Sequence, residues 1–119
     1  MEEKNIFEEY KKASKGIKRV KIDEEKLTII WPNNQKEVFF LKDLKKVALI
    51  TTAEGPLEPD IFWLFMFKIP IMVPSDELIP GSLAITDVML KLPNFNYEKF
   101  IEAMSSTSNN AFELWQRDT

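Results

Sequence analysis

Residues Ile61-Phe62-Trp63-Leu64-Phe65-Met66-Phe67 are seven consecutive large apolar side chains. A strand with one wet face alternates apolar and polar residues, so an unbroken apolar run of this length reads as a strand covered on both faces. It is entered from Thr51 to Asp60, a stretch that carries Glu54, Gly55, Pro56, Glu58, Pro59 and Asp60. Those carboxylates and that kinked backbone belong in an exposed turn, because burying them without partners is costly. Whatever fold the chain adopts must therefore supply cover for two faces of one strand.

The segments around the run supply candidates for that cover. Glu2 to Lys15 has the pattern of a short amphipathic helix: Ile6, Phe7, Tyr10 and Ala13 share a face. Glu2 and Glu3 start it, Lys11, Lys12 and Lys15 end it, and Gly16 stops it, in keeping with the helix dipole. From Ile17 the period becomes two. Val20 and Ile22 alternate with Arg19 and Lys21, and Leu27, Ile29 and Trp31 alternate with Lys26 and Thr28. Pro32-Asn33-Asn34-Gln35 is a strong turn, so Lys36–Leu41 returns as the second arm of a hairpin. After a bend at Leu41–Lys46, Val47–Thr52 and the opening run give two more strands. Ile71–Val73 is a short sixth, which Pro70 confines to an edge or a strand end. Leu83, Val88, Met89 and Leu92 then describe a helical face ending before Pro93. Asn96 caps a second short helix carrying Tyr97, Phe100, Ile101 and Met104. Ala111–Gln116 alternates loosely and reads as a closing strand.

This order predicts an α+β single domain over 1–119: an N-terminal helix in 1–16, antiparallel strands in 17–73, and helices with a closing strand in 74–119. The six to seven strands are expected as one curled antiparallel sheet with two short helices before its last strand. That element order resembles the pleckstrin-homology-like barrel, an analogy of fold that carries no ligand with it.

Composition excludes more chemistry than it suggests. The 119 residues contain no cysteine and no histidine. Disulfides, thiolate sites, cysteine nucleophiles, the usual general base and the commonest transition-metal ligand are all absent together. Gly16, Gly55 and Gly81 are isolated, so no phosphate-cradling glycine loop can form. No serine sits in a nucleophile elbow. The expectation is a protein that is not an enzyme and needs no cofactor or metal. Met1-Glu2-Glu3-Lys4-Asn5 lacks the character of a signal or transit peptide. Ile61–Val73, broken by Lys68 and Pro70, is too short to span a bilayer, so a soluble cytoplasmic protein is expected. Charge is unevenly spread: residues 1–50 hold 12 Lys/Arg against 9 Asp/Glu, and residues 51–119 hold 4 against 10. The net charge of −3 argues against a dedicated nucleic-acid binder.

Four pieces of the chain carry a resemblance. They are Asp43-Leu44-Lys45-Lys46-Val47-Ala48-Leu49-Ile50-Thr51-Thr52; Gly55-Pro56 with Asp60-Ile61-Phe62-Trp63; Leu92-Pro93-Asn94-Phe95; and Ala103-Met104 followed by Phe112 and Trp115-Gln116-Arg117. Together they resemble a family of small uncharacterised bacterial proteins, over residues from about Ile17 to the end. The resemblance implies one intact domain and brings no catalytic residue across. Asn94 stands where a glycine often follows Leu-Pro, and it too tolerates a left-handed turn.

Three groups of residues are candidate sites. Trp63, Phe65, Phe67, Ile69, Trp115 and Arg117 are a candidate interaction surface, since tryptophans and exposed apolar strands recruit partners; tryptophans on strands with other large hydrophobes are more often core. The partner is a protein or a second copy of the chain, as in a homodimer or an immunity-type complex. Lys15, Lys18, Arg19 and Lys21 are a candidate anion patch for an anionic ligand or lipid head group, the alternative function; a solvated strand face after a helix end is the commoner account of such a charge run. Glu54, Glu58 and Asp60 make an exposed acidic turn, the least favoured base for a metal-dependent or carboxylate enzyme; a rigid structural turn is the favoured account. The preferred expectation is a non-catalytic protein-interaction domain.

Overall fold

A computed structural model describes Ser14 and residues 16–53, 61–106 and 108–118. Seven strands are present among them: β1 (Arg19–Ile22), β2 (Lys26–Ile30), β3 (Lys36–Phe40), β4 (Lys46–Thr51), β5 (Ile61–Met66), β6 (Pro70–Pro74) and β7 (Asn110–Gln116). Two helices, α1 (Ala84–Met89) and α2 (Tyr97–Met104), lie between β6 and β7, and a 3-10 turn, Leu41–Asp43, follows β3.

Local chemistry sets the turns. Asp23 accepts hydrogen bonds from the backbone N–H groups of Glu25 (2.8 Å) and Lys26 (2.9 Å), bending the chain from β1 into β2. Those bonds, to Lys26 first and Glu25 second, hold its carboxyl below the ordinary aspartate range. Asn34 takes a left-handed conformation (φ 66°) in the β2–β3 turn, and Asn33 Oδ1 accepts from Gln35 N at 3.0 Å. Asn96 caps α2 by accepting from Lys99 N at 3.0 Å.

The strands form two sheets, not one. β1-β2-β3 is a three-stranded antiparallel sheet, and β6-β5-β4-β7 is a four-stranded one. This corrects the expectation of an α+β fold built on a single curled sheet, and the pleckstrin-homology-like comparison falls with it: the described chain is mostly β with some helices. The reason is topological. A continuous meander needs β3 to pair with the free edge of β4, but β7 returns from the C-terminal end and takes that edge, from Asn110↔Thr51 to Gln116↔Lys46. β3 is thereby left at the rim of its own sheet. The expected N-terminal helix, Glu2–Lys15, lies outside the described residues apart from Ser14, which is buried.

A register shift between Val47 and Ala48 inserts Leu114 as an extra residue in β7. Such a bulge explains the loose alternation of this segment, because Phe112, Leu114 and Trp115 are all buried in one short strand. Arg117 fastens the end of β7. Its Nε donates to Leu44 O (2.7 Å) and its Nη2 to Leu41 O (2.9 Å).

The two sheets share a core in which Val20, Leu27 and Ile29 of the first join Val47, Leu49, Trp63 and Phe65 of the second. A row of rings runs along the inner face of β5 and joins three elements. Phe100 of α2 stacks on Trp63 at 6.0 Å, Trp63 lies 6.1 Å from Phe65, Phe65 lies 6.4 Å from Phe67, and Phe67 stacks on Phe39 of β3 at 5.1 Å. On the opposite face of β5, Phe62 is fully buried, while Leu64 and Met66 are half-buried. The apolar run is thus covered mainly on one side by α2 and the first sheet. Gly81 closes the contact between the α1 region and β1: Val20 N donates to Pro80 O at 2.9 Å, and Gly81 adopts φ 89° against the Val20 carbonyl.

Candidate functional site

The pairing of the first sheet decides which side chains share a face. Arg19 pairs with Ile30 and Lys21 with Thr28, while Lys36 pairs with Ile30, Val38 with Thr28 and Phe40 with Lys26. Cross-strand partners point to the same side, so Arg19, Lys21, Lys26 and Lys36 occupy one face together with Thr28, Ile30, Val38 and Phe40. The other face of the sheet supplies Val20, Leu27 and Ile29 to the core. No strand position on the outward face is acidic. Glu37, one residue out of phase, lies on the opposite face, where it stays exposed and accepts a hydrogen bond from Trp31 Nε1 at 2.8 Å.

Two large apolar side chains sit among these cations without cover. Val38 is 46% exposed and Phe40 is 42% exposed. At one end of the face, Lys18, Arg19, Lys21, Ile30, Asn34 and Lys36 line a hollow of about 380 Å³. Lys18 Nζ donates to Asn34 Oδ1 at 2.8 Å, which fixes the edge of the hollow to the hairpin loop. Among the described residues Lys18, Arg19, Lys21 and Lys36 form no ion pair; Lys91 with Glu24 and Lys46 with Glu113 are the pairs formed there. Four like charges around one hollow raise its positive potential and favour an anionic occupant. At the other end, Lys42 Nζ stands 6.0 Å from the Phe40 ring centroid. Glu24 and Glu25 border that end, and Glu24 Oε1 is engaged by Lys91 Nζ at 3.2 Å.

A second basic groove, of about 850 Å³, runs past Lys42, Lys45, Lys46, Lys68 and Arg117. Its charges are more committed. Arg117 holds backbone carbonyls, Lys46 lies 3.5 Å from Glu113, and Asp43 lines the same groove.

The residues singled out from sequence fall in different places. Trp63, Phe65, Phe67 and Trp115 are buried in the core, Trp115 donating Nε1–H to Pro93 O at 2.8 Å. Of that group only Ile69, 54% exposed, presents an apolar side chain to solvent, and the Arg117 guanidinium is held by the two carbonyls and lies 5.3 Å from the Trp115 ring. Lys18, Arg19 and Lys21 do come together. Lys15, Glu54, Glu58 and Asp60 lie outside the described residues. Sequence reasoning missed Lys26, Lys36, Val38 and Phe40. The signal was present in the phase of alternation: the turn at Pro32–Gln35 sets Lys36 opposite Ile30, and every second residue from there faces outward. A separate apolar stripe on α2 exposes Tyr97, Ile101 and Met104, spaced at i, i+4 and i+7.

Among the described residues no group of three or more acidic side chains is placed to hold a metal ion, and no helix is long and apolar enough to cross a membrane.

No family model, curated protein or solved structure matches this chain. Function is therefore read from the face itself.

Proposed function

We propose that this chain is a non-catalytic protein-interaction domain that docks an acidic partner on the outward face of its first sheet. One observation carries the reading: Val38 and Phe40 stand exposed on a face whose charged strand positions, Arg19, Lys21, Lys26 and Lys36, are all cationic. Apolar area gives a partner something to bury, while a ring of one sign selects which partner and steers its approach.

Selection from a random displayed peptide library on the immobilised full chain tests this. The expected result is enrichment of peptides that combine Asp or Glu with large apolar residues, lost when Lys21→Glu and Lys36→Glu are combined. Enrichment that survives the charge reversal, or that yields basic peptides, contradicts it.

The hollow lined by Lys18, Arg19, Lys21 and Lys36 favours a second reading, a small anionic ligand or lipid head group. Co-sedimentation with phosphatidylserine vesicles separates the two. Vesicle binding abolished by Lys18→Ala, Arg19→Ala and Lys21→Ala together supports the second reading. Peptide binding without vesicle binding supports the first.

A further inference from the structure

The backbone of β3 carries information that its side chains do not. Antiparallel pairs alternate between residues that exchange both hydrogen bonds and residues that exchange none. Trp31 N donates to Gln35 O at 2.9 Å at the hairpin end, and Leu41 N donates to Glu25 O at 2.9 Å at the other end. With the register between them, residues 35, 37, 39 and 41 turn their backbone groups toward β2. Lys36 and Val38 therefore direct both N–H and C=O away from the sheet, and Phe40 directs its N–H the same way. Among the described residues no backbone group pairs with them on that side. The opposite rim of the sheet is treated differently, since Val20 N is occupied by Pro80 O. Natural sheets blunt or cover an exposed edge, and an edge left open with large apolar side chains beside it is a template for another strand.

We infer that the partner binds by adding an extended segment to the free edge of β3, with acidic and apolar residues alternating on the side that faces Lys36, Val38 and Phe40. This rests on the docking face proposed above and specifies how that face is used. In the added strand, residues opposite Lys36, Val38 and Phe40 share their face, because cross-strand partners point the same way. A carboxylate beside Lys36 meets an unpaired ammonium, an apolar side chain beside Val38 covers it, and a carboxylate near Phe40 meets Lys42 and Lys26. The recognition element is therefore about five residues long, spanning roughly 17 Å at the ordinary strand rise. Charge selects against a second copy of this chain as the occupant. Antiparallel pairing of two β3 strands about Val38 sets the second copy's Lys36 opposite Phe40. That ring already has Lys42 at 6.0 Å and Lys26 as its cross-strand neighbour. A third cation there is repelled, whereas a carboxylate is attracted.

The test titrates the full chain with the blocked, fluorescently labelled heptapeptide Thr-Glu-Thr-Val-Thr-Glu-Thr and two N-methylated versions of it. Methylation of the valine nitrogen removes an N–H that faces β3 and is expected to weaken binding by at least about tenfold. Methylation of a threonine nitrogen removes an N–H that faces solvent and is expected to leave the affinity within about threefold. On the protein side, Val38→Pro deletes an outward N–H from an edge strand, where proline is tolerated, so the fold is retained and peptide binding falls by at least about tenfold. Equal binding of the valine-methylated peptide overturns strand addition while leaving the acidic docking face standing. Binding unaffected by Lys21→Glu with Lys36→Glu overturns the docking face itself. No binding of the unmodified peptide at about 1 mM, the weak end of specific recognition, overturns the strand-addition proposal. Preferential binding of an oligo-dT strand that displaces the peptide assigns the face to nucleic acid and overturns both.

Discussion

Gly81 shows how a single residue couples distant parts of this chain. Its φ of 89° lies in the left-handed region, and a Cβ built on it falls 1.7 Å from the Val20 carbonyl oxygen. The close approach lets Pro80 O reach Val20 N and so ties the start of the α1 region to β1. Gly81→Ala must therefore move backbone against backbone as well as strain φ, and it is expected to cost at least about 2 kcal/mol. Urea denaturation reads this as a lowered midpoint with little change in slope; a midpoint within error of the parent denies the contact its role. Trp63 illustrates a different tension. It is 1% exposed with rings on two sides, yet its Nε1–H has no partner among the described residues. The large apolar area of the indole outweighs one unmet donor.

Among the elements, α2 has the best-defined start. Asn96 caps it through Lys99 N, and Asn96 N donates to Leu114 O at 2.8 Å, so the cap also anchors the helix to β7. Asn96→Ala keeps the second bond and loses the first, and is expected to cost about 1 kcal/mol. Thermal unfolding followed by circular dichroism measures it, and an unchanged transition temperature counts against the cap. Period-two alternation made β1 to β4 legible to within about two residues, because each strand carries its own pattern. The split into two sheets was not legible. It depends on β7 reaching the edge of β4, a pairing between residues about 65 apart in the chain that no local pattern encodes. The bulge at Leu114 blurred the one strand whose partner mattered most. For the candidate site, Lys18, Arg19 and Lys21 stood out as a run of like charge, but Lys26, Lys36, Val38 and Phe40 join them only through register. For Trp63, Phe65, Phe67 and Trp115 the sequence leaves recognition surface and core both open, and long-range packing places them in the core.

For the molecule as a whole, charge and architecture point the same way. Arg19, Lys21, Lys26 and Lys36 are displayed on the outward face of the first sheet, and the four-stranded sheet with α1 and α2 supports that sheet from behind. The row of rings from Phe100 to Phe39 connects the support to β3, so the edge strand is held against the core by its inward residues while its outward residues remain free. Because the face is screened by salt over a Debye length of about 8 Å at physiological ionic strength, partner binding should weaken as salt is raised. The most direct measurement is a backbone amide chemical-shift titration of the isotope-labelled full chain with the Thr-Glu-Thr-Val-Thr-Glu-Thr peptide. The largest shifts are predicted at Lys36, Val38 and Phe40, with smaller ones at Arg19, Lys21 and Lys26. Shifts centred on Tyr97, Ile101 and Met104 of α2 would contradict the account, as would a spectrum that does not change.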